Sequence, residues 1–197
     1  MKKIILIASF VVIATITNAQ HHFHMNPGVK AGLNLATLSG GGSQVDYSMR
    51  ASLHAGVFLH MHFAKHWAIQ PELMYSGQGT NYTILEENIH LNLSYLNFPV
   101  QLQYMFGNGL RVQSGPQAGL LLSAKAKSDG NSTDVKEGFN TLDFSWAFGA
   151  SYVHRSGFGV DVRYNLGINN ISDDDAESIR NSVVEAGLFY QFKGKKK

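Results

Sequence analysis

Cysteine is absent from the 197 residues. Neither a disulfide nor a lipid-modified cysteine behind a leader is available, so an exported fold must be held by packing or by a bilayer. Charge is scarce as well: charged residues make up 15% of the chain, against about 25% in ordinary globular proteins. The formal net charge is +2, and the last three residues are all lysine, which leaves no basic face for nucleic acid. No apolar run reaches the roughly 18 residues that a membrane-spanning helix requires. The longest, residues 4–16, is interrupted only by Ser9 and Thr15.

That run has a role of its own. Met1-Lys2-Lys3 precedes it and Thr17-Asn18-Ala19 follows it. A basic start, a short apolar core and a small-x-small exit describe a secretory signal peptide cut after Ala19. The length suits one domain. The expected organisation is a signal peptide over 1–19, an N-terminal extension over 20–27 carrying His21, His22 and His24, a strand domain over 28–192, and a basic tail over 193–197.

The strand domain is clearest over 95–124. Leu96, Phe98, Val100, Leu102, Tyr104 and Phe106 alternate with Tyr95, Asn97, Pro99, Gln101, Gln103 and Met105. After Gly107-Asn108-Gly109, a second series of Leu110, Val112, Ser114, Pro116, Ala118, Leu120, Leu122 and Ala124 alternates with Arg111, Gln113, Gly115, Gln117, Gly119 and Ser123. A period of two on both sides of a glycine-bearing turn is an antiparallel hairpin. Each run exceeds the usual soluble strand of roughly 5–6 residues and meets the about 9–11 needed to cross a bilayer at a tilt. The same alternation predicts strands over 28–37, 50–63, 67–76, 141–153, 158–168 and 182–192, with polar loops over 39–48, 77–90, 126–140 and 169–181.

Three patterns turn eight strands into an architecture. Connections alternate long and short, as in an up-and-down meander with a loop side and a turn side. Aromatic residues crowd the short turns: Phe63 and Trp67, Tyr104 and Phe106, Tyr152 and Phe158, Tyr190 and Phe192, which is one half of an interfacial girdle. Every charge inside a strand shares the face opposite the apolar one, namely Lys30, Arg50, Glu72, Arg111, Asp143, Asp161, Arg163 and Glu185. Four cations and four anions suit a narrow lumen where charges must pair. The expected fold is all-β, an eight-stranded antiparallel up-and-down transmembrane β-barrel, with both termini periplasmic and four loops outside. Pro71, Pro99 and Pro116 cannot donate to a ladder, and a bulge is expected at each.

With those residues in view, the chain resembles the outer-membrane beta-barrel (porin-family) proteins of the Bacteroidetes, relatives of the small OmpA/OmpX-type barrels. The carrying pieces are GVKAGLNLATL at 28–38, QPELMYSGQG at 70–79, YLNFPVQLQYMF at 95–106, GPQAGLLLSAK at 115–125 and VVEAGLFYQF at 183–192. The resemblance implies a monomeric integral protein of the Gram-negative cell outer membrane, porin-like or structural. It would be assembled from the periplasm by the barrel assembly machinery and be in contact with outer-membrane lipid and lipopolysaccharide. It implies no catalytic residues, cofactor or resident metal. The chain departs from the family in continuing past the terminal aromatic Phe192 with Lys193-Gly194-Lys195-Lys196-Lys197.

Other chemistries read weakly. His54, His60 and His62 share one face of the second strand; polar filling of a lumen accounts for them more simply than a metal, which needs further ligands and oriented partners. His21, His22 and His24 suit a solvated terminus. Asp173, Asp174, Asp175 and Glu177 lack the spaced ligands and glycine of a calcium loop. Ser39-Gly40-Gly41-Gly42 is a flexible loop without the helix that a phosphate cradle needs. Two alternatives stand beside the membrane barrel. A lipid-A-modifying enzyme would need a histidine fixed beside Ser145 or Ser151 and Asp143, and a soluble lipocalin-like barrel would turn its apolar side chains inward. The leader gives a direct test: the mature protein begins at Gln20, and a peptide map of the membrane-bound form that retains residues 4–16 overturns that reading.

Overall fold

The computed structural model describes residues 24–40, 48–84, 87–128, 131–173 and 178–193. The leader, His21, His22, Gly41, Gly42, Asp174, Asp175, Glu177 and the tail from Gly194 onward lie outside the described residues. The described residues form β1 (His24–Gly40), β2 (Ser48–His62), β3 (Trp67–Ile84), β4 (Glu87–Met105), β5 (Leu110–Ser128), β6 (Asn131–Asp134), β7 (Leu142–Val153), β8 (Phe158–Gly167) and β9 (Ile179–Gln191), with a 3-10 turn at Lys136–Gly138. Strand order runs β4-β3-β2-β1-β9-β8-β7-β5, and β5 pairs back onto β4. Eight antiparallel strands therefore close into a barrel, while β6 hangs on β5 outside the ring.

Alternation of side chains explains closure. Along β8, exposed and buried residues alternate at every position. The exposed ones are apolar: Val162 is 55% and Leu166 45% accessible, whereas Arg163 is 1% accessible. All eight barrel strands repeat this inversion, with Val29, Leu53, Leu73, Leu102, Val112, Phe148 and Leu188 outside and Lys30, His54, Glu72, Gln103, Arg111, Asp161 and Glu185 inside. A continuous apolar exterior over a polar interior is stable only where the surroundings are hydrocarbon. It is the reverse of a lipocalin-like barrel.

Several boundaries differ from the sequence reading. Of the loop expected over 77–90, residues 77–84 and 87–90 are strand, 85 and 86 lying outside the described residues: β3 and β4 stay paired from Met74↔Asn97 up to Ile84↔Glu87. At 18 and 19 residues both strands far exceed the about 9–11 that a bilayer needs. Beyond the bilayer both faces meet water or protein, so nothing imposes apolar alternation there and the strand signal vanishes. The stretch 126–140 likewise is not a plain loop, because β5 continues to Ser128 and β6 folds back along it. β1 starts at His24, inside the expected N-terminal extension, through its pairing of His24 with His62.

The prolines carry no bulges. Pairing passes from Phe58↔Glu72 to Met61↔Ile69, from Pro71↔Val100 to Met74↔Asn97 and from Pro99↔Gln117 to Leu102↔Ser114 without a register shift. Each proline gives up ladder bonds on one side only, keeping Val100, Gln117 and Trp146 respectively as partners on the other. The shifts fall instead between Met49 and His54 and between Ser94 and Tyr95, where Ser94 pairs Ser123 and Tyr95 pairs Leu121. The extra residue, Leu122, turns Ala124 inward to complete burial, against its expected outward place, as a bulge must.

The faces set a stability test. Arg at Leu102 or Leu120, both exposed on the apolar exterior, should destabilise the barrel by about 2–4 kcal/mol in vesicle-based urea unfolding. Arg at Gln113, among the interior polar groups, should destabilise it less. The opposite order would invert the faces.

Candidate functional site

The lumen is the site that eight strands build, and described side chains reach into it at several heights. Near the short turns, Phe58 and Phe189 meet edge to face with ring centroids 5.8 Å apart. Each lies over a glycine that is its ladder partner, Phe58 over Gly28 and Phe189 over Gly159. A Cβ at Gly28 would come within 2.1 Å of the Phe58 ring, and one at Gly159 within 2.2 Å of the Phe189 ring. Glycine here makes room for an aromatic that would otherwise collide with its neighbour. Beside these rings, Lys30, Gln70, Gln103, Arg111, Gln113, Ser151 and Asp161 enclose a cavity of about 10 Å³, room for a single water.

At mid-height the guanidinium of Arg163 on β8 grips Glu72 on β3 through Nη1 at 3.0 Å and Nη2 at 2.7 Å. Gln70 donates to the same carboxylate at 2.9 Å. Lys30 on β1 meets Asp161 at 2.5 Å, and Asp161 lies 3.9 Å from Arg163. A forked pair is the geometry in which a buried guanidinium and carboxylate best offset their lost hydration. Above them Asn34 donates to Ser76 Oγ at 2.9 Å and to the Gly77 carbonyl at 2.7 Å, and its Oδ1 meets His54 Nδ1 at 2.6 Å. Asn181 donates to Gln78 and, at 3.2 Å, to Asp143. Toward the loop end stands an apolar cluster of Leu38, Leu91, Leu93, Tyr95, Leu121, Ala124 and Ile171, with Tyr82, Val135, Phe139 and Ile179 against it.

Of the eight charges singled out in the sequence, Lys30, Glu72, Asp161 and Arg163 are thus joined in one network. Glu185 is buried as the ladder partner of Arg163, and Asp143 takes its hydrogen bond from Asn181. Arg50 donates to the Gln78 carbonyl at 2.9 Å near the loop end. Arg111 is 6% accessible and, among the described residues, lies in none of the ion pairs. Side chains of one strand row can be inward without lying at the same height, which is why matching four cations to four anions did not yield four pairs.

The aromatic residues expected to form a girdle stand in two groups at the turn end. Trp67 and Phe106 each lie 5.1 Å from Tyr104, and Tyr190 lies 4.7 Å from Phe158 and 4.9 Å from Phe192. Phe63 and Tyr152 are 52% and 44% exposed beside them. Ser145, Ser151 and Asp143 are buried on β7, while the inward histidines His54, His60 and His62 belong to β2, which has no pairing with β7. The apolar loop-end cluster and the Phe58–Phe189 contact escaped the sequence reading. The second had a signal, since each phenylalanine interrupts a polar inward row opposite a glycine.

Residues 18–173 match the family described as Outer membrane protein beta-barrel domain. The chain belongs to that family. It is an integral outer-membrane β-barrel protein, porin-like or structural in kind. Among solved structures it is similar to Neisserial surface protein A, at 14% identity and a TM-score of 0.57 over 84% of this chain and 97% of that one. It is also similar to Ail, the attachment invasion locus protein of Yersinia pestis, at 14% identity and a TM-score of 0.54 over 86% and 99% of the two chains. At such identity the likeness is one of fold. A comparison with curated proteins returns no match.

Because Arg163 is 1% accessible, its carboxylate partner is decisive. Glu72→Gln should lower the unfolding free energy by about 3–5 kcal/mol, whereas Glu72→Met combined with Arg163→Met should cost less than that single change. Equal losses in urea unfolding would show that the pair is not coupled.

Proposed function

We propose that this family member works as a closed-lumen, non-catalytic barrel whose active surface is its external loop end rather than a pore. The observation that carries this reading is the set of described side chains that reach into the lumen: paired aromatics at the turn end, the Arg163–Glu72–Gln70 and Lys30–Asp161 groups at mid-height, and the apolar cluster at the loop end. An eight-stranded barrel has an interior just wide enough for side chains, and here they occupy it.

Export through a leader cut after Ala19, folding by the barrel assembly machinery and a monomeric state complete the proposal. The closed ring supports the last, since it leaves no barrel edge to pair with a second copy. Motifs 28–38, 95–106 and 183–192 support an origin in the Bacteroidetes. The long β3–β4 hairpin and the β5–β6 hairpin raise paired strand beyond the bilayer, where a rigid outer surface would meet lipopolysaccharide. Lys125 and Lys127 are exposed there on β5, and Lys136 folds back to the Leu122 carbonyl at 3.1 Å. Cations at that level suit the phosphates of lipopolysaccharide. One solved structure of Ail is described as a complex with the heparin analogue sucrose octasulfate, an anionic ligand on a barrel of the same fold.

Planar-bilayer recording tests the closed lumen. The purified protein should give no stable, large single-channel steps at neutral pH, and such steps would restore the pore reading.

A further inference from the structure

The outer wall is not evenly clad. On the turn side of the sector formed by β1, β9, β8 and β7, two rungs of the ladder lie next to each other. One carries Ala31, Leu188, Val160 and Tyr152, and the next toward the turns carries Val29, Tyr190 and Phe158. Leu188 is 68% exposed, and Ala31 contributes a single methyl where its neighbours contribute rings. Together these side chains bound an apolar recess of about 480 Å³, within the roughly 300–1,000 Å³ of small-molecule sites. Phe158 and Tyr190, with ring centroids 4.7 Å apart, stand toward its turn end. In a bilayer such a recess opens on hydrocarbon.

Its rim is cationic. His154 lines the recess itself, and Arg155 follows it, exposed, in the β7–β8 turn. The Gln191 N–H donates to the Gly157 carbonyl at 2.8 Å, which ties that turn to the end of β9, where Lys193 is exposed. The Ser156 N–H points at His154 Nδ1 from 3.3 Å. A backbone N–H only donates, so Nδ1 accepts and the proton of the neutral ring sits on Nε2, which is then a donor. The turn-side segments 24–27, 63–66, 106–109, 154–157 and 192–193 contain Lys65, Arg155 and Lys193 and no Asp or Glu. On the loop side, by contrast, Lys136 has Asp134 and Glu137 for neighbours in the chain. A free phosphate would make no use of the recess, and an uncharged hydrocarbon none of the rim. An amphiphile with an anionic head uses both.

We propose that this recess binds one anionic glycerophospholipid of the turn-side leaflet, with an acyl chain along Ala31 and Leu188 and the phosphate against Arg155, Lys193 and His154 Nε2. Guanidinium and ammonium groups are the usual partners of such a phosphate, and each one near an anionic lipid surface strengthens binding about fivefold. The choice of glycerophospholipid rests on the reading that lipopolysaccharide meets the opposite, loop end. It is independent of whether the lumen conducts.

The test is native mass spectrometry of the full mature protein, folded in detergent with equal amounts of phosphatidylglycerol and phosphatidylethanolamine. One phosphatidylglycerol per chain should be retained in preference to phosphatidylethanolamine. That preference should fall about fivefold in Arg155→Gln and again when Lys193→Gln is added. It should stay unchanged in Lys65→Gln, because Lys65 lies at the other aromatic group, and in the presence of inorganic phosphate. Ala31→Phe, an apolar change on the outward face, should expel lipid of either headgroup by filling the recess. Heat-modifiable migration confirms that each variant is folded, and if Ala31→Phe does not fold, Leu188→Trp fills the same space. Equal retention of the two lipids by the unaltered protein overturns the proposal. So does retention undiminished in the filled-recess variant, since the lipid would then sit elsewhere on the wall. A preference lost only on removing residues 194–197 would belong to the tail and overturns it too. Displacement of the retained lipid by lipopolysaccharide would overturn the choice of lipid, and with it the reading of the loop end, while leaving the conductance result untouched.

Discussion

The buried fork between Arg163 and Glu72 is the contact on which the rest of the interior depends. A guanidinium that is almost fully enclosed is stable only when its charge is answered at hydrogen-bond distance, and Glu72 answers it across the lumen from β3. Holding Glu72 also orients Gln70, which orients His60, so a single ion pair arranges side chains on three strands. Lys30 and Asp161 extend the same order to β1. A bilayer fixes the outer surface by demanding apolar side chains; it says nothing about the inner one. The inner surface has to specify itself, and directional polar contacts are how it does so.

That division accounts for what could be read from the chain. Within the bilayer, each strand separates hydrocarbon from a polar interior, and the alternation of Val160, Val162 and Tyr164 with Asp161 and Arg163 records the difference directly. Strand number, closure and the facing of these residues were legible for that reason. Outside the bilayer the same backbone geometry leaves no such trace, so the upper halves of β3 and β4 and the whole of β6 looked like loops. The bulge at Leu122 shows a second limit: a run of three leucines, Leu120 to Leu122, satisfies either register, and only the pairing with Ser94 and Tyr95 decides it.

The site was legible in kind and not in partnership. Lys30 and Asp161 are 131 residues apart, and Arg163 and Glu72 are 91 apart; which inward charges stand at one height depends on the stagger of the closed barrel, a quantity that no local window contains. Phe58 and Phe189 were visible as inward residues. Their pairing with Gly28 and Gly159 follows from register, and it turns two apparent exceptions in a polar row into the floor of the lumen. The loop-end cluster draws Ile171 and Phe139 from stretches that looked hydrophilic, because a few apolar residues suffice to cap a narrow tube.

Pro71, Pro99 and Pro116 have a mechanical consequence. Pro71 is the ladder partner of Val100, beside Pro99, and the positions where pairing lapses on β2–β3, β3–β4 and β4–β5 follow one another around the wall at one level. The opposite wall, from β7 through β8 and β9 to β1, has unbroken pairing. The barrel is therefore a tube of uneven stiffness. Its β2–β5 sector is held at that height by side-chain bonds such as His60 to Gln70 in place of backbone ones, so bending or ovalisation concentrates along that seam while the other half of the circumference moves as a stiff shell.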